Sequence, residues 1–229
     1  MPTAKPLLYL GNPNYSSWSL RPWLCLKWAR VDFDEQFIEL DAPGYGDAKI
    51  AAVLAVSPSG RVPALHVGDT VIWDSLAIAE WAAEQASGEP LLPADQLLRA
   101  QVRSATAEMH SGFAAVRRDL PMNIRRRCTA RGLPAETLAD IARADALWSG
   151  LRAAHASDGP HLFGRRSIAD AFYTPVATRF RTYGIKLSAL AQAYCDTLLA
   201  DTAFREWEGR VLAAPAKPFS RATTDTIYA

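Results

Sequence analysis

NYSSWSLRPWLCL, residues 14–26, is the stretch whose reading decides this chain. It follows an apolar run, Leu7 to Leu10, and three turn residues, Gly11, Asn12 and Pro13. That run reads as a short buried strand. The stretch itself opens a helix from about Ser19, with Leu20, Trp23, Leu24, Leu26 and Trp28 as apolar positions and Pro22 in the first turn. Serines crowd the junction of loop and helix. The first backbone N–H groups of a helix lack internal partners and sit at the positive end of its dipole. A serine there serves as a cap. Its hydroxyl can also donate to an anion that the helix end already favours. A thiolate is such an anion, and this placement is one way to depress a thiol pKa.

Working outward, Phe33 to Leu40 reads as a second strand and Asp47 to Ala55 as a short helix, broken by Ser57-Pro58-Ser59-Gly60. Pro63 begins a third strand, where proline is tolerated. A cis Val62–Pro63 bond would turn the Val62 backbone outward toward a ligand; the sequence leaves cis or trans open. Leu65 to Val67, a Gly68-Asp69 turn and Thr70 to Trp73 make a hairpin. Asp74 or Ser75 caps a helix from Leu76 to Gln85. The order is β-α-β-α-β-β-α, which is thioredoxin-like. Gly88, Glu89, Pro90 and Pro93 mark a linker.

Beyond the linker only helices are expected. Ala94 to Leu120 is one long segment, bent at Gly112 and closed by Pro121. Glu136 to Ala156 is a second. Ser167-Ile168-Ala169-Asp170 forms a capping box with Asp in the usual Glu place, opening a helix to about Thr182 with Pro175 inside. Ser188–Ala200 and Thr202–Arg210 follow. From Pro215 onward the chain reads as a tail laid on the surface.

The chain has 229 residues, 49% hydrophobic and 21% charged, enough for a sizeable core. A net charge of +1 carries no nucleic-acid footprint; Arg125-Arg126-Arg127 reads as a solvated helix end. Cys25, Cys128 and Cys195 show neither disulfide nor metal spacing, so a reducing, cytoplasmic setting is expected, with no metal. No signal peptide is visible. No run reaches the roughly 18–20 apolar residues of a membrane span.

These features together resemble the cytosolic glutathione transferases over the whole chain. Ser16-Ser17-Trp18-Ser19-Leu20-Arg21 looks like the serine motif of the zeta class, with Trp18 where that class has a cysteine. Arg61-Val62-Pro63-Ala64-Leu65 looks like the family's cis-proline segment. Asp74-Ser75 is similar to the pair that binds the γ-glutamyl end of glutathione, and Ser167 to Asp170 to the buried capping box. The resemblance implies a bacterial, serine-type enzyme of α/β plus all-α class. A thioredoxin-like glutathione-binding domain would span residues 1–86, and an all-helical domain lining the electrophile site would span 93–229.

The roles implied by the resemblance are specific. Ser17, four residues before Arg21, would donate to the glutathione sulfur, with Ser16 as its rival. Val62, beside Pro63, would pair with the cysteinyl backbone. Asp74 and Ser75 would hold the γ-glutamyl ammonium and carboxylate, and Lys49 would reach the glycyl carboxylate. Tyr15, Trp18, Met109, His110, Phe113 and Arg117 would line the electrophile site. Arg21 would brace its helix, and Cys25, two turns in, would be buried and inert. Arg179 and Arg181 do not match the spacing from Pro175 of the zeta-class active-site arginine. The implied function is glutathione-dependent attack on a small hydrophobic electrophile, in detoxification and as a homodimer. The alternatives are a maleylacetoacetate-type cis–trans isomerase and a non-catalytic binding protein on the same fold.

Overall fold

The structure, a computed structural model, describes residues 5–216. Strand β1 (Leu7–Leu10) alternates, with Leu8 and Leu10 fully buried. Helix α1 (Ser17–Trp28) carries the chain across to β2 (Asp34–Phe37), which pairs parallel to β1. Helix α2 (Ala51–Leu54) is a single turn. Strands β3 (Ala64–Val67) and β4 (Thr70–Trp73) form the antiparallel hairpin, with Gly68 at φ +56° in its turn. Helix α3 (Ser75–Glu84) ends this half. The sheet order is β2-β1-β3-β4, with β3 antiparallel to β1, as the thioredoxin-like reading requires.

The remaining elements among the described residues are helical. They are α4 (Gln96–Ser111), α5 (Ala114–Asp119), α6 (Ala135–Ala154), α7 (Ile168–Thr182), α8 (Ala189–Ala200) and α9 (Thr202–Ala213), with one short 3₁₀ turn, Ala156–Asp158. Helix α1 packs against α3 on one side and α7 on the other. Nearly all its residues are therefore buried, the polar Ser17, Ser19 and Arg21 included. Leu8, Trp23, Leu24, Phe172, Tyr173 and Trp207 belong to one continuous core that crosses both halves.

Several expectations need correction. Helix α1 starts at Ser17, so Pro22 lies in its second turn and forgoes the bond to the Trp18 carbonyl. Strand β2 is shorter than Phe33–Leu40. The long helix from Ala94 is two helices. Gly112 leaves the helical region and Phe113 takes left-handed φ +55°, so the axis restarts at Ala114. The Arg125–Arg127 run lies in the irregular segment between α5 and α6 and is not a helix end. Arg125 instead donates to the carbonyls of Val211 and Ala214, at the C-terminus of α9, where a cation suits the helix dipole.

Residues 217–229 of the expected C-terminal tail lie outside the described residues. Cys25 is fully buried, and desolvation drives its thiol pKa far up. Among the described residues no helix is long and apolar enough to cross a membrane.

The capping box forms as read. Asp170 Oδ2 accepts from Ser167 N at 2.7 Å and from Ser167 Oγ at 3.0 Å. Its Oδ1 takes Leu162 N at 3.1 Å and Tyr194 O–H at 2.8 Å. The linker docks here too, since Ile168 N donates to Leu91 O at 3.1 Å.

Candidate functional site

At the C-terminal end of β1, α1 begins with Ser16 as its N-cap (φ −84°, ψ 90°). Ser16 Oγ accepts from Ser19 N at 3.3 Å and lies 2.8 Å from Ser19 Oγ. Ser19 Oγ accepts in turn from Gly11 N at 2.9 Å. The loop and the first helical turn are thus stitched together by two hydroxyls. Above them opens a cavity of about 580 Å³, lined by Tyr15, Ser16, Trp18, Val62, Pro63, Asp74 and Ser75, among others. The Val62–Pro63 bond is cis.

Asp74 sits at φ +74° and caps α3, its Oδ1 accepting from Leu76 N at 2.7 Å. Ser75 starts the helix. It is 1% exposed, and its Oγ has no hydrogen-bond partner among the described residues although the residue lines the cavity. A buried hydroxyl left unpaired at a helix N-terminus is a place for an anionic ligand group. Three helix-start features therefore face one space: the Ser16 cap, the Ser75 hydroxyl and the Asp74 carboxylate.

The structure divides the expected residues. Ser17 is turned away from the cavity. It is 5% exposed, and its Oγ accepts from Arg179 Nη2 at 3.1 Å. Lys49 is exposed and outside the lining, although Ala48 and Ile50 on either side belong to it. Met109 and Phe113 are core residues, Phe113 packing edge-on against Tyr173.

His110 and Arg117 do come to Trp18. The His110 ring meets the Trp18 indole edge-on at 5.5 Å, and the Arg117 guanidinium carbon lies 5.0 Å from its centroid. His110 Nε2 is 3.5 Å from an Asp74 oxygen. Burial holds the His110 pKa below its ordinary value, against the pull of Asp74. Arg117 donates to the Met109 and His110 carbonyls at the end of α4, and burial lowers its pKa.

Sequence reasoning missed four residues here. Ser19 was read only as part of a serine cluster, yet it is the hydroxyl partner of Ser16. Arg61 and Tyr45 line the cavity; the signals were adjacency to Val62-Pro63 and the Gly44-Tyr45-Gly46 turn. Arg179, on α7, is 4% exposed and reaches α1 through Ser17. Burial pushes its pKa down to about 9, which leaves it charged at neutral pH.

The model of the glutathione S-transferase N-terminal domain matches residues 15–85. A probable maleylacetoacetate isomerase of Caenorhabditis elegans is 34% identical over 113 residues, 49% of this chain and 50% of that protein. The chain thus spans about half the length of the curated relatives it matches. Among solved structures, a glutathione transferase homolog from Burkholderia with bound glutathione aligns with TM-score 0.69 at 20% identity. The alignment covers 92% of this chain and 99% of that one. The holo structure of a bacterial maleyl pyruvate isomerase, a zeta-class glutathione S-transferase, also aligns at 0.69. There the identity is 23%, and coverage is 93% of this chain and 100% of that one. Residues 15–85 thus match the glutathione S-transferase N-terminal domain, and the chain as a whole shares the fold of these solved glutathione transferases.

Proposed function

We propose that this protein is a glutathione transferase that holds glutathione as a thiolate at the Ser16 hydroxyl and adds its sulfur to a small electrophile. The observation that carries the proposal is Ser16 itself: a helix-capping hydroxyl that lines the cavity shared with Val62, Asp74 and Ser75. In this reading the Val62 backbone pairs with the cysteinyl residue. The orphaned Ser75 hydroxyl takes the γ-glutamyl carboxylate, and Asp74 takes the ammonium. Ser17, bonded to Arg179 and outside the lining, holds α1 against α7 and does not touch the sulfur.

A free thiol has a pKa of about 8.5, and lowering it by about two units takes roughly 2.7 kcal/mol. A hydrogen bond to a charged group supplies about 1.5–3 kcal/mol and a helix N-terminus about 0.3–1 kcal/mol, so the pair suffices. The Ser16–Ser19 contact fits this role. When Ser16 donates to sulfur, Ser19 can donate to Ser16, since hydroxyl hydrogens rotate.

The test is ultraviolet titration of bound glutathione thiolate. Wild type should show a pKa well below the free value. Ser16→Ala should restore it toward about 8.5, and Ser17→Ala should leave it low. The reverse pattern for the two variants would move the role to Ser17. Binding with an unshifted thiol would instead support a non-catalytic carrier.

A second reading, glutathione-dependent cis–trans isomerisation, is favoured by the names of the curated relatives. It predicts isomerisation of a maleyl substrate with glutathione unconsumed. Assembly as a homodimer belongs to the same proposal and is read by light scattering.

A further inference from the structure

Between β1 and α1 the chain turns through residues 11–16, and the turn is shaped from within. The Asn12 carbonyl accepts from Tyr15 N at 3.2 Å and from Ser16 N at 2.8 Å. Asn12 Oδ1 accepts from Asn14 N at 2.9 Å. These bonds, with the Ser19 stitch to Gly11, set the shape of the loop. They do not set where its outer end stands against the rest of the molecule.

Asn14 does that. It is 7% exposed, and its other polar atoms all meet one segment of the helical half. Its carbonyl accepts from Ile124 N at 3.3 Å and its Oδ1 from Arg125 N at 3.0 Å. Its Nδ2 donates to Asn123 Oδ1 at 3.0 Å. Asn123 is 4% exposed, and the same oxygen also accepts from Arg126 N at 3.2 Å. Backbone N–H donors therefore fix the orientation of both amides. The segment is anchored in turn on α7. Thr182 Oγ1 donates to the Asn123 carbonyl at 2.9 Å, and Cys128 N donates to the Thr182 carbonyl at 2.8 Å. A line of hydrogen bonds thus runs from α7 through Asn123 and Asn14 to within two residues of Ser16.

We propose that the Asn14–Asn123 amide pair positions the loop so that the Ser16 hydroxyl points at the glutathione sulfur. The inference rests on the Ser16 reading and adds the residues that aim it. Neither asparagine lines the cavity, so both act through Ser16 and neither touches the ligand. A reacting group of this kind must be held within about 0.5 Å of its productive geometry. A loop fastened only from within would rock about its two ends. The groups proposed to grip glutathione stand on other elements: Val62 precedes β3, and Asp74 and Ser75 begin α3. Binding and thiol activation therefore separate. The hydroxyl belongs to the sheet-bearing half, but its aim is set by the helical half.

The test titrates bound glutathione thiolate in the ultraviolet on the full chain, beside the glutathione dissociation constant and the urea midpoint. Asn14→Ala and Asn123→Ala should each raise the bound-thiol pKa by about one unit, with glutathione affinity close to that of wild type. The double variant should add nothing to either single one, because both remove the same bond. Asp170→Ala, which loses stability without touching this loop, should titrate like wild type. Should Asn14→Ala fail to fold, Asn123→Ala carries the same prediction, since Ile124 N and Arg125 N keep their acceptors on Asn14. A thiol pKa as low as wild type in the asparagine variants would overturn the inference and leave Ser16 in its role. So would a loss of glutathione affinity with the thiol pKa unmoved, or an equal shift in Asp170→Ala. A wild-type thiol at its free value would overturn this inference and the Ser16 reading together.

Discussion

Two hydroxyls, those of Ser16 and Ser19, share one hydrogen bond of 2.8 Å, and its direction bears on the chemistry. If Ser19 donates to Ser16 when the thiolate is bound, the chain Ser19–Ser16–sulfur polarises cooperatively. Ser19→Ala should then raise the bound thiol pKa by about one unit, worth about 1.4 kcal/mol. The rate at pH 6.5 should fall about fivefold while Ser16 stays in place, because the thiolate fraction there drops from about one half to about one tenth. The same change strips Gly11 N–H of its acceptor, so folding stability should drop by about 1–3 kcal/mol. A stability loss with no change in the thiol titration would reduce Ser19 to a structural stitch. The sequence showed that a serine hydroxyl belongs at this helix start. It could not show which of two adjacent serines faces the cavity, because a shift of one residue in the helix start rotates every side chain by about 100°. The structure begins the helix at Ser17, so Ser16 caps it and Ser17 turns inward to Arg179.

Among the elements, α7 depends most on a single side chain. Asp170 is fully buried and gathers Ser167 N, Ser167 Oγ, Leu162 N and Tyr194 O–H. Asp170→Ala would leave at least three donors buried without an acceptor. At about 1 kcal/mol or more each, the loss should reach about 3 kcal/mol, read as a lowered urea midpoint. Activity per folded molecule should change little, since Asp170 touches no cavity residue. An unchanged midpoint would mean that water enters and satisfies the donors. This element was legible because a capping box is local: four consecutive residues carry it. The same holds for the β3–β4 hairpin. Strand β2 was overextended because its length is set by its partner, Leu7 to Leu10 pairing with Asp34 to Phe37. The break between α4 and α5 was read as a bend, since Gly112 gave the place but not the left-handed Phe113. Arg125 looked like surface charge because its acceptors lie 86 and 89 residues away in the chain.

For the whole molecule, pH and cooperativity are the two tests. Burial lowers the pKa of both His110 and His161 below the free value of 6.5. The unfolded chain therefore takes up protons first as pH falls. Stability from this source is complete above about 6.5 and is lost as pH drops below it. The urea midpoint should be lower at pH 5.5 than at 7.5, and the double variant His110→Gln/His161→Gln should flatten the difference. The second test concerns how the two halves are joined. Helix α1 belongs to the sheet-bearing half in sequence, but its buried surface is divided between α3 and α7. Trp28 Nε1 donates to Asp201 at 3.0 Å, and Trp207 Nε1 donates to the Pro13 carbonyl at 2.9 Å. Each bond crosses between halves, and each anchors an indole in the common core. Separating the halves would expose both indoles and strip Trp28 and Trp207 of their acceptors. Neither half can therefore open at low free energy while the other stays folded. Tryptophan fluorescence and far-ultraviolet circular dichroism should report one coincident urea transition. A helical signal persisting after the fluorescence change would show that the α4–α9 half stands without α1, and that the shared core is divisible.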